Sequence, residues 1–562
     1  MGHKASSRSS SAPVLSSTLT PVGERISVLL DRRAVLIAVL LVVLGSARIA
    51  LTWTVFSHTI DEGAHAACGL EWLERGTYRL ETQHPPLARI AIGLGAHLDG
   101  AHLNPAPAPS NWLPMTWLGI TTIFGGENYE RRMACIRSGV LPFFWLASLA
   151  VYLWGSLLLG RAGAVLAVFI FTMLPVVLAH SGLATTDLAV TATMALATYA
   201  LYRLWERPTP LAAGGFGIAL GCMLISKFSA IPYFGLSVVL GLVVWARRRR
   251  GLAGLEYRSR LIWTSASLGA AFLCLWATYR FSFGATSLLS FPAPFPEWFD
   301  GIASVIEHNR HGHPSYFFGS VTVMGSWLFF PVLFLVKTPL GVLALLLFSL
   351  FWVPRTRAGA AWLPWTVVAA VFAVAIPAHI NIGLRHILPV FPFVALLASF
   401  SAMRLLELAG SKRWAGPLLG ALLLWVAAGS LLAHPDYLAD FNLLAGANPE
   451  NIAVDSDLDW GQDVLRLGKR LRELGAPSVA FTPSVMVNFP KLGFPRVVPN
   501  DVNRPLPGWN AVSVTALKRD RLSGGAAAYN VKLWPELMSP SEVVGRTIWL
   551  YYVSPQLVPP AK

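Results

Sequence analysis

The sequence predicts a polytopic α-helical membrane protein of about eleven transmembrane helices, followed by a small α/β extracytoplasmic C-terminal domain. Three observations predict it. Of 562 residues, 54% are hydrophobic and 13% are charged. A soluble globular chain carries about 25% charged residues, so this one has too little polar surface for water. Apolar runs recur at lengths near the ~20 residues that cross a bilayer core. Lys and Arg gather in alternate loops, as the positive-inside rule requires. Four cysteines in 562 residues exclude a disulfide scaffold, and the composition excludes a disordered or collagen-like chain. The net charge is 44 − 29 = +15. Inner-loop Arg and Lys, together with anionic lipid headgroups, account for that excess, so no nucleic-acid partner is expected.

Residues 1–33 read as a disordered cytoplasmic tail, Ser-rich at first and ending on Arg25, Arg32 and Arg33. The apolar run 34–57 is interrupted only by Arg48. It is too long for a signal-peptide core and is read as an uncleaved first span. Further spans follow at about 138–160, 162–180, 187–205, 211–226, 228–246, 261–280, 330–353, 359–378, 386–404 and 415–433. An odd total puts the chain ends on opposite sides. Arg161, Arg203, Arg207, Arg247 to Arg250, Arg258, Arg260, Arg355, Arg357, Lys412 and Arg413 share the side of the N-terminus, which is therefore the cytoplasm. The membrane domain is 34–433, with external loops at about 58–136 and 281–325. Residues 434–562 form the external α/β domain, helix-like at 461–474 and strand-like at 452–454, 478–482, 511–516 and 547–553. Of 13 histidines only His3 is cytoplasmic, which puts acid–base and ligand chemistry on the outer face.

The first external loop carries the densest chemistry. Asp61 and Glu62 follow the first span at the membrane surface. Partial desolvation there raises a carboxylate's basicity and suits a general base for a hydroxyl. The alternative is that both acids cap the next helix. His58, Glu62 and His65 fall on one helical face, and Glu62 and His65 form an E-x-x-H pair. With His84 they are a candidate divalent-metal set, although no cofactor is required. Pro85 and Pro86 force an extended lead into a helix near Leu87, which fixes His84 and puts Arg89 in the first turn, a plausible phosphate cradle. Cys68 and Cys135 are both external, but nothing in the sequence sets them together.

The block Asp61-Glu62-x-x-His65-x-x-x-Gly69, followed by His84-Pro85-Pro86-Leu87, resembles bacterial members of the dolichyl-phosphate-mannose protein mannosyltransferase family. Lipid A aminoarabinose transferases are more distant relatives. Other blocks in the same order agree: Leu178 to Asp187, Ser226-Lys227-Phe228-Ser229, Tyr316 to Gly319 with Trp327 and Lys337-Thr338-Pro339, Asn381 to Pro389, and Asp455 to Asp463. The last hundred or so residues match loosely. The resemblance implies a type-C glycosyltransferase (GT-C) fold that uses a polyprenyl-phosphate-linked sugar donor at the outer face. It implies Asp61 as base in an inverting displacement, with His84 near the lipid phosphate. The acceptor would be a protein, a lipid or a glycan.

Such chemistry needs one base and several cations around a departing phosphate. Arg89, Lys227, Arg385 and His386 are the candidate phosphate-binding residues, and His65, His84 and Asp187 join them as candidates for binding the donor phosphate or substrate. Lys227 and Arg385 occupy turns so short that they hardly leave the membrane, where charge is costly and usually functional. The plainer readings are that Lys227 snorkels and Asp187 caps the fourth span. Asp455, Asp457, Asp459 and Asp463 lack the central Gly and final Glu of an EF-hand, so they are read as folding the external domain onto the core, with Asp459 or Trp460 near substrate. Two other classes stay open. A transporter or flippase would show repeated halves and broken helices, and neither is legible. A non-catalytic scaffold would leave the clustered acids and cations without a use.

Overall fold

The computed structural model describes residues 31–104, 114–249, 257–353, 360–501, 503–523 and 532–554. Nearly all of the expected N-terminal tail, with Arg25, lies outside them, as do Arg250, Arg355 and Arg357.

Every apolar run carries a helix. They are α1 (Ala34–Ala50), α6 (Leu141–Thr172), α8 (Asp187–Glu206), α9 (Pro210–Leu224), α10 (Ala230–Arg249), α11 (Tyr257–Thr278), α13 (Phe329–Lys337), α14 (Leu340–Trp352), α15 (Leu363–Ala375), α16 (Phe391–Leu408) and α17 (Ala415–Leu432). Among the described residues, five helices are long and apolar enough to cross a membrane by length and composition, or six if a bent pair counts as one. The chain is thus a multi-pass membrane protein, but helix length does not by itself reach eleven.

Local chemistry explains where the helices depart from the predicted runs. The first run stops being helical at Ala50 instead of reaching 57. The Arg137 guanidinium takes the carbonyls of Trp53, Phe56 and Ser57, which ties the chain beyond α1 into turns. The second and third runs are two limbs of α6, reversed at Gly160 (φ 76°, ψ −178°). Only glycine adopts that conformation without strain. The third run breaks before Pro175, which opens the separate short helix α7 (Pro175–Ser181). The run 330–353 is broken between α13 and α14, whose axes differ by 115°. Pro339 lacks an N–H to continue the helix, and Thr338 before it is extended (φ −89°, ψ 130°). The sequence reading anticipated no broken helix, so this is a correction. The break abuts the chain after the last apolar run, since Lys337 donates to the Leu438 and Asp457 carbonyls.

The first loop is helical: α2 (Glu62–Arg75), α3 (Pro86–Leu98), α4 (Pro114–Phe124) and α5 (Tyr129–Ser138). Helices α2 and α3 cross with backbones almost touching, and a Cβ on Gly69 would lie 2.7 Å from the Gly93 Cα. The helix begins at Glu62, so His58 is not on the helical face predicted for it.

The second loop holds helix α12 (Pro296–His311) and two short antiparallel pairs, β1 (Phe283–Gly284) with β2 (Ala293–Pro294) and β3 (Ser315–Phe317) with β4 (Ser320–Thr322). After Val464–Glu473 (α18), the chain forms a five-stranded sheet. The strands are β5 (Ser478–Thr482), β6 (Arg496–Val498), β7 (Gly508–Ser513), β8 (Glu542–Val544) and β9 (Ile548–Val553). Strand β5 pairs parallel with β6 and β7, and β9 pairs antiparallel with β7 and β8. Val464, Leu467 and Leu471 bury one face of α18 and share an apolar cluster with Val336, Leu384 and Ile387 of the helical part. Two predicted strands differ. Ala453 makes a single bridge to Phe317, and the run 511–516 turns helical at Val514 because Ser513 accepts from the Ala516 N–H as an N-cap.

Candidate functional site

Turns at one end of the helix bundle bring four ionised side chains into one line. Asp61 is the N-cap residue of α2, yet its carboxylate makes no capping bond. It turns away from the helix and its Oδ2 accepts from Arg385 Nη1 at 2.8 Å. Arg385 is the second residue of the 3-10 turn Leu384–Val390, which follows Gly383. Its guanidinium lies 4.2 Å from the Trp460 ring centroid, and its Nη1 is also 3.7 Å from Asp187 Oδ2. Asp187 is the first residue of α8 and accepts from Lys227 Nζ at 2.6 Å. The order is Asp61, Arg385, Asp187, Lys227, with signs alternating.

Burial separates their roles. Asp187 is fully buried and Arg385 and Lys227 nearly so, while the Asp61 side chain keeps 27% of its surface. Of the two acids in the line, Asp61 is the one open to solvent. Several polar atoms here are buried without a hydrogen-bond partner among the described residues: Asp187 Oδ2, Arg385 Nε, His386 Nε2 and His180 Nδ1. Leaving such atoms buried and unpaired is costly. His180 was not singled out from the sequence; the Pro175 break that creates α7 is the signal that sets it apart.

Glu62 is not free to act as a catalytic base. It is fully buried and paired with Arg137 through both oxygens, at 2.8 and 2.9 Å. It also accepts the Thr59 and Ala184 N–H groups, each at 2.8 Å. Burial pushes its carboxyl up, but the Arg137 charge and these N–H groups outweigh burial and hold it below the ordinary value. Its work is to tie the end of α1, α2, α5 and the turn before α8 together.

Arg89 is likewise not a phosphate cradle. It is buried, ion-paired with Glu81, and donates to Tyr78 Oη, the Glu81 carbonyl and His65 Nδ1. Glu81, missed in the sequence, sits just before the His-Pro-Pro turn. His65 and His84 stack edge to face at 5.2 Å. Burial lowers the pKa of both, and at His84 the Arg89 charge and, to a lesser extent, the Lys227 charge add to this. The expected metal set does not form. Glu62 faces Arg137 while His65 faces Arg89, so Glu62, His65 and His84 share no common point. Cys68 and Cys135 are both free thiols.

The four acids of the 455–463 block each have a different partner. Asp455 pairs with Arg519, and Asp457 Oδ1 accepts from Leu384 N–H at 2.9 Å. Asp459 accepts from Ser513 Oγ at 2.5 Å and Thr515 N–H at 2.9 Å. Asp463 accepts from Thr547 Oγ1 at 2.8 Å. Asp459 therefore fastens the sheet instead of facing the charged line; Trp460 does face it, beneath Arg385.

Asp457 gives a testable pH effect. Burial pushes its carboxyl up to about 6, against an ordinary 3.8. Between those values the folded protein holds a proton that the unfolded chain releases, so stability falls as pH rises through the window. Two units correspond to about 3 kcal/mol. Asp457→Asn removes this loss. Thermal melts in detergent at pH 4.5 and 7.5 are expected to show a smaller drop for the variant; parallel drops contradict it.

A cavity of about 760 Å³ lies elsewhere, between α8, α10 and α15. Trp205, Trp245, Trp362 and Leu363 line it, with Glu206 as the one charged side chain among the described lining residues.

The site and fold define a class, a multi-pass membrane protein with a buried acid–base line at one end of its bundle. The comparisons with known proteins narrow that class. A family model described as dolichyl-phosphate-mannose-protein mannosyltransferase matches residues 115–279, a segment holding Asp187 and Lys227. That match bears out the resemblance read from the sequence and supports a membrane glycosyltransferase. ArnT from Cupriavidus metallidurans is similar in its apo state, at 19% identity over 74% of this chain and 67% of that one (TM-score 0.48). Its form bound to undecaprenyl phosphate is similar at 16% identity over 91% and 97% (TM-score 0.48). The Archaeoglobus fulgidus oligosaccharyltransferase, tethered with an acceptor peptide, is similar at 12% identity over 89% and 71% (TM-score 0.49). No curated protein matches the chain.

Proposed function

We propose that this chain is an inverting glycosyltransferase of the GT-C type. It moves a sugar from a polyprenyl-phosphate-linked donor to an acceptor hydroxyl at the outer face of the membrane, with Asp61 as general base. The observation that carries this reading is the charged line in which two buried cations, Arg385 and Lys227, lie beside one accessible carboxylate. The description of the matched family, a lipid-phosphate sugar donor and a protein acceptor, supports the same reading.

The residues divide the reaction between them. The acceptor oxygen forms a bond to the anomeric carbon as the bond from that carbon to the phosphate oxygen breaks. The acceptor proton passes to Asp61, and the bonding pair leaves on the phosphate. Lys227 and Arg385 take up the charge that grows there, in surroundings dry enough to make their fields strong. Trp460 holds the Arg385 plane and Asp187 holds both cations. A single displacement inverts the anomeric centre. Mass spectrometry of envelope proteins and lipids, from cells with and without the gene, tests the reading. One hexose-bearing class is expected to vanish with the gene, and unchanged spectra contradict it.

One observation favours a transporter instead, the 115° break between α13 and α14. Transporters place such breaks at the bilayer midplane, whereas this one abuts the chain beyond the last apolar run. Solute movement in sealed vesicles without any sugar transfer would favour that second reading.

A further inference from the structure

One group of side chains outside the charged line converges on a single point. Glu74 in the last turn of α2, His97 in the last turn of α3, and His102 beyond it each offer one ligand atom, and the three atoms lie within 4.8 Å of one another. Glu74 Oε1 is 2.9 Å from His102 Nδ1 and 3.8 Å from His97 Nδ1. Ligands at ~2.0–2.1 Å from a tetrahedral metal stand about 3.4 Å apart, so the spacing already suits one.

The local fold explains the convergence. The Gly69–Gly93 crossing brings α2 and α3 together, so that their C-terminal ends lie side by side. Helix α3 then ends in a tight reversal. Gly100 takes a left-handed φ of 79°, its N–H donates to the His97 carbonyl, and the Ala101 N–H donates to the Ala96 carbonyl. This turns the chain back, so that the His102 ring meets the His97 ring edge-on at 5.8 Å. The second carboxylate oxygen of Glu74 accepts from the Leu103 N–H at 3.2 Å, which orients the first. Among the described residues, Glu74 has no Lys or Arg ion-pair partner. The nearby Asp99 is taken by Arg131 and Arg132.

We propose that Glu74, His97 and His102 form a divalent transition-metal site, with zinc the best-suited ion and water in the fourth position. Two imidazoles and one carboxylate match zinc's ligand preferences; calcium and magnesium take oxygen ligands. The metal clamps the ends of α2 and α3, the two helices that open on Asp61 and on the His84 turn. It falls on the same loop as the metal set read from sequence, but on different residues. The inference does not rest on the glycosyltransferase reading.

The full-length chain, purified in detergent without a polyhistidine tag and stripped with chelator, provides the test. Titration calorimetry with zinc chloride and elemental analysis after gel filtration are expected to give one equivalent of zinc. His97→Ala, His102→Ala and Glu74→Gln are each expected to weaken binding at least tenfold. Cobalt(II) is expected to give tetrahedral absorption bands in the wild type that His97→Ala lacks. Thermal melts establish that the variants are folded, and zinc is expected to raise the melting temperature of the wild type alone. Equal stoichiometry and affinity in wild type and folded variants, or no zinc bound by the wild type, would overturn the proposal.

Discussion

Asp61→Asn is expected to lower sugar transfer by about 10²- to 10⁴-fold, the usual contribution of a positioned general base, while leaving the protein folded. The geometry explains the selectivity. The carboxylate does not cap α2, and its side chain is partly exposed, so no element depends on its charge. An amide oxygen still accepts the Arg385 hydrogen bond, and Asp187 still pairs with Lys227 and lies 3.7 Å from Arg385. Initial rates with a polyprenyl-phosphate-linked sugar, beside melting temperatures in detergent, check the expectation. Full activity in the variant contradicts the role given to Asp61.

The largest effect on stability is expected at Arg137. It is fully buried, pairs with Glu62 through two bonds and holds three carbonyls beyond α1. Breaking one side of a buried ion pair costs about 3–5 kcal/mol, because the other charge is left without compensation. Arg137→Ala is thus expected to melt far below the wild type or fail to accumulate. Glu62→Gln strands the same guanidinium. The double variant Glu62→Gln/Arg137→Ala is expected to be less destabilised than the two single losses summed, since neither charge is then left alone. Additive losses in thermal or denaturant melts contradict the coupling.

The contrast between neighbours Asp61 and Glu62 shows what the sequence could and could not reveal. Both acids, the short turns holding Lys227 and Arg385, and the helix lead at Pro85 and Pro86 were legible, because charge beside apolar runs and proline geometry are local signals. Which acid is buried was not. That depends on Arg137, 75 residues away in sequence. Arg89 failed as a phosphate ligand for the same reason, since Glu81 and the turn's carbonyls occupy it. The apolar runs predicted the helices, but the sharp departures at Gly160 and Pro339 turn on single residues inside runs that hydropathy reads as uniform. The Asp455–Asp463 block was recognised as a fastening. Asp459 and Asp463 reach Ser513 at the end of β7 and Thr547 just before β9, while Asp455 and Asp457 reach Arg519 and the Leu384 N–H, and a short motif encodes none of these distant targets.

The central claim is a single displacement assisted by Asp61 and driven by a lipid-phosphate leaving group. The most direct measurement is the anomeric configuration of the product. It would be read by NMR after the purified full-length chain, in proteoliposomes, has reacted with a polyprenyl-phosphate-linked sugar of known configuration and an acceptor fraction from its own envelope. An inverted centre, formed by the wild type and not by Asp61→Asn, is the predicted result. A retained centre, or inversion at an equal rate in the variant, would contradict it.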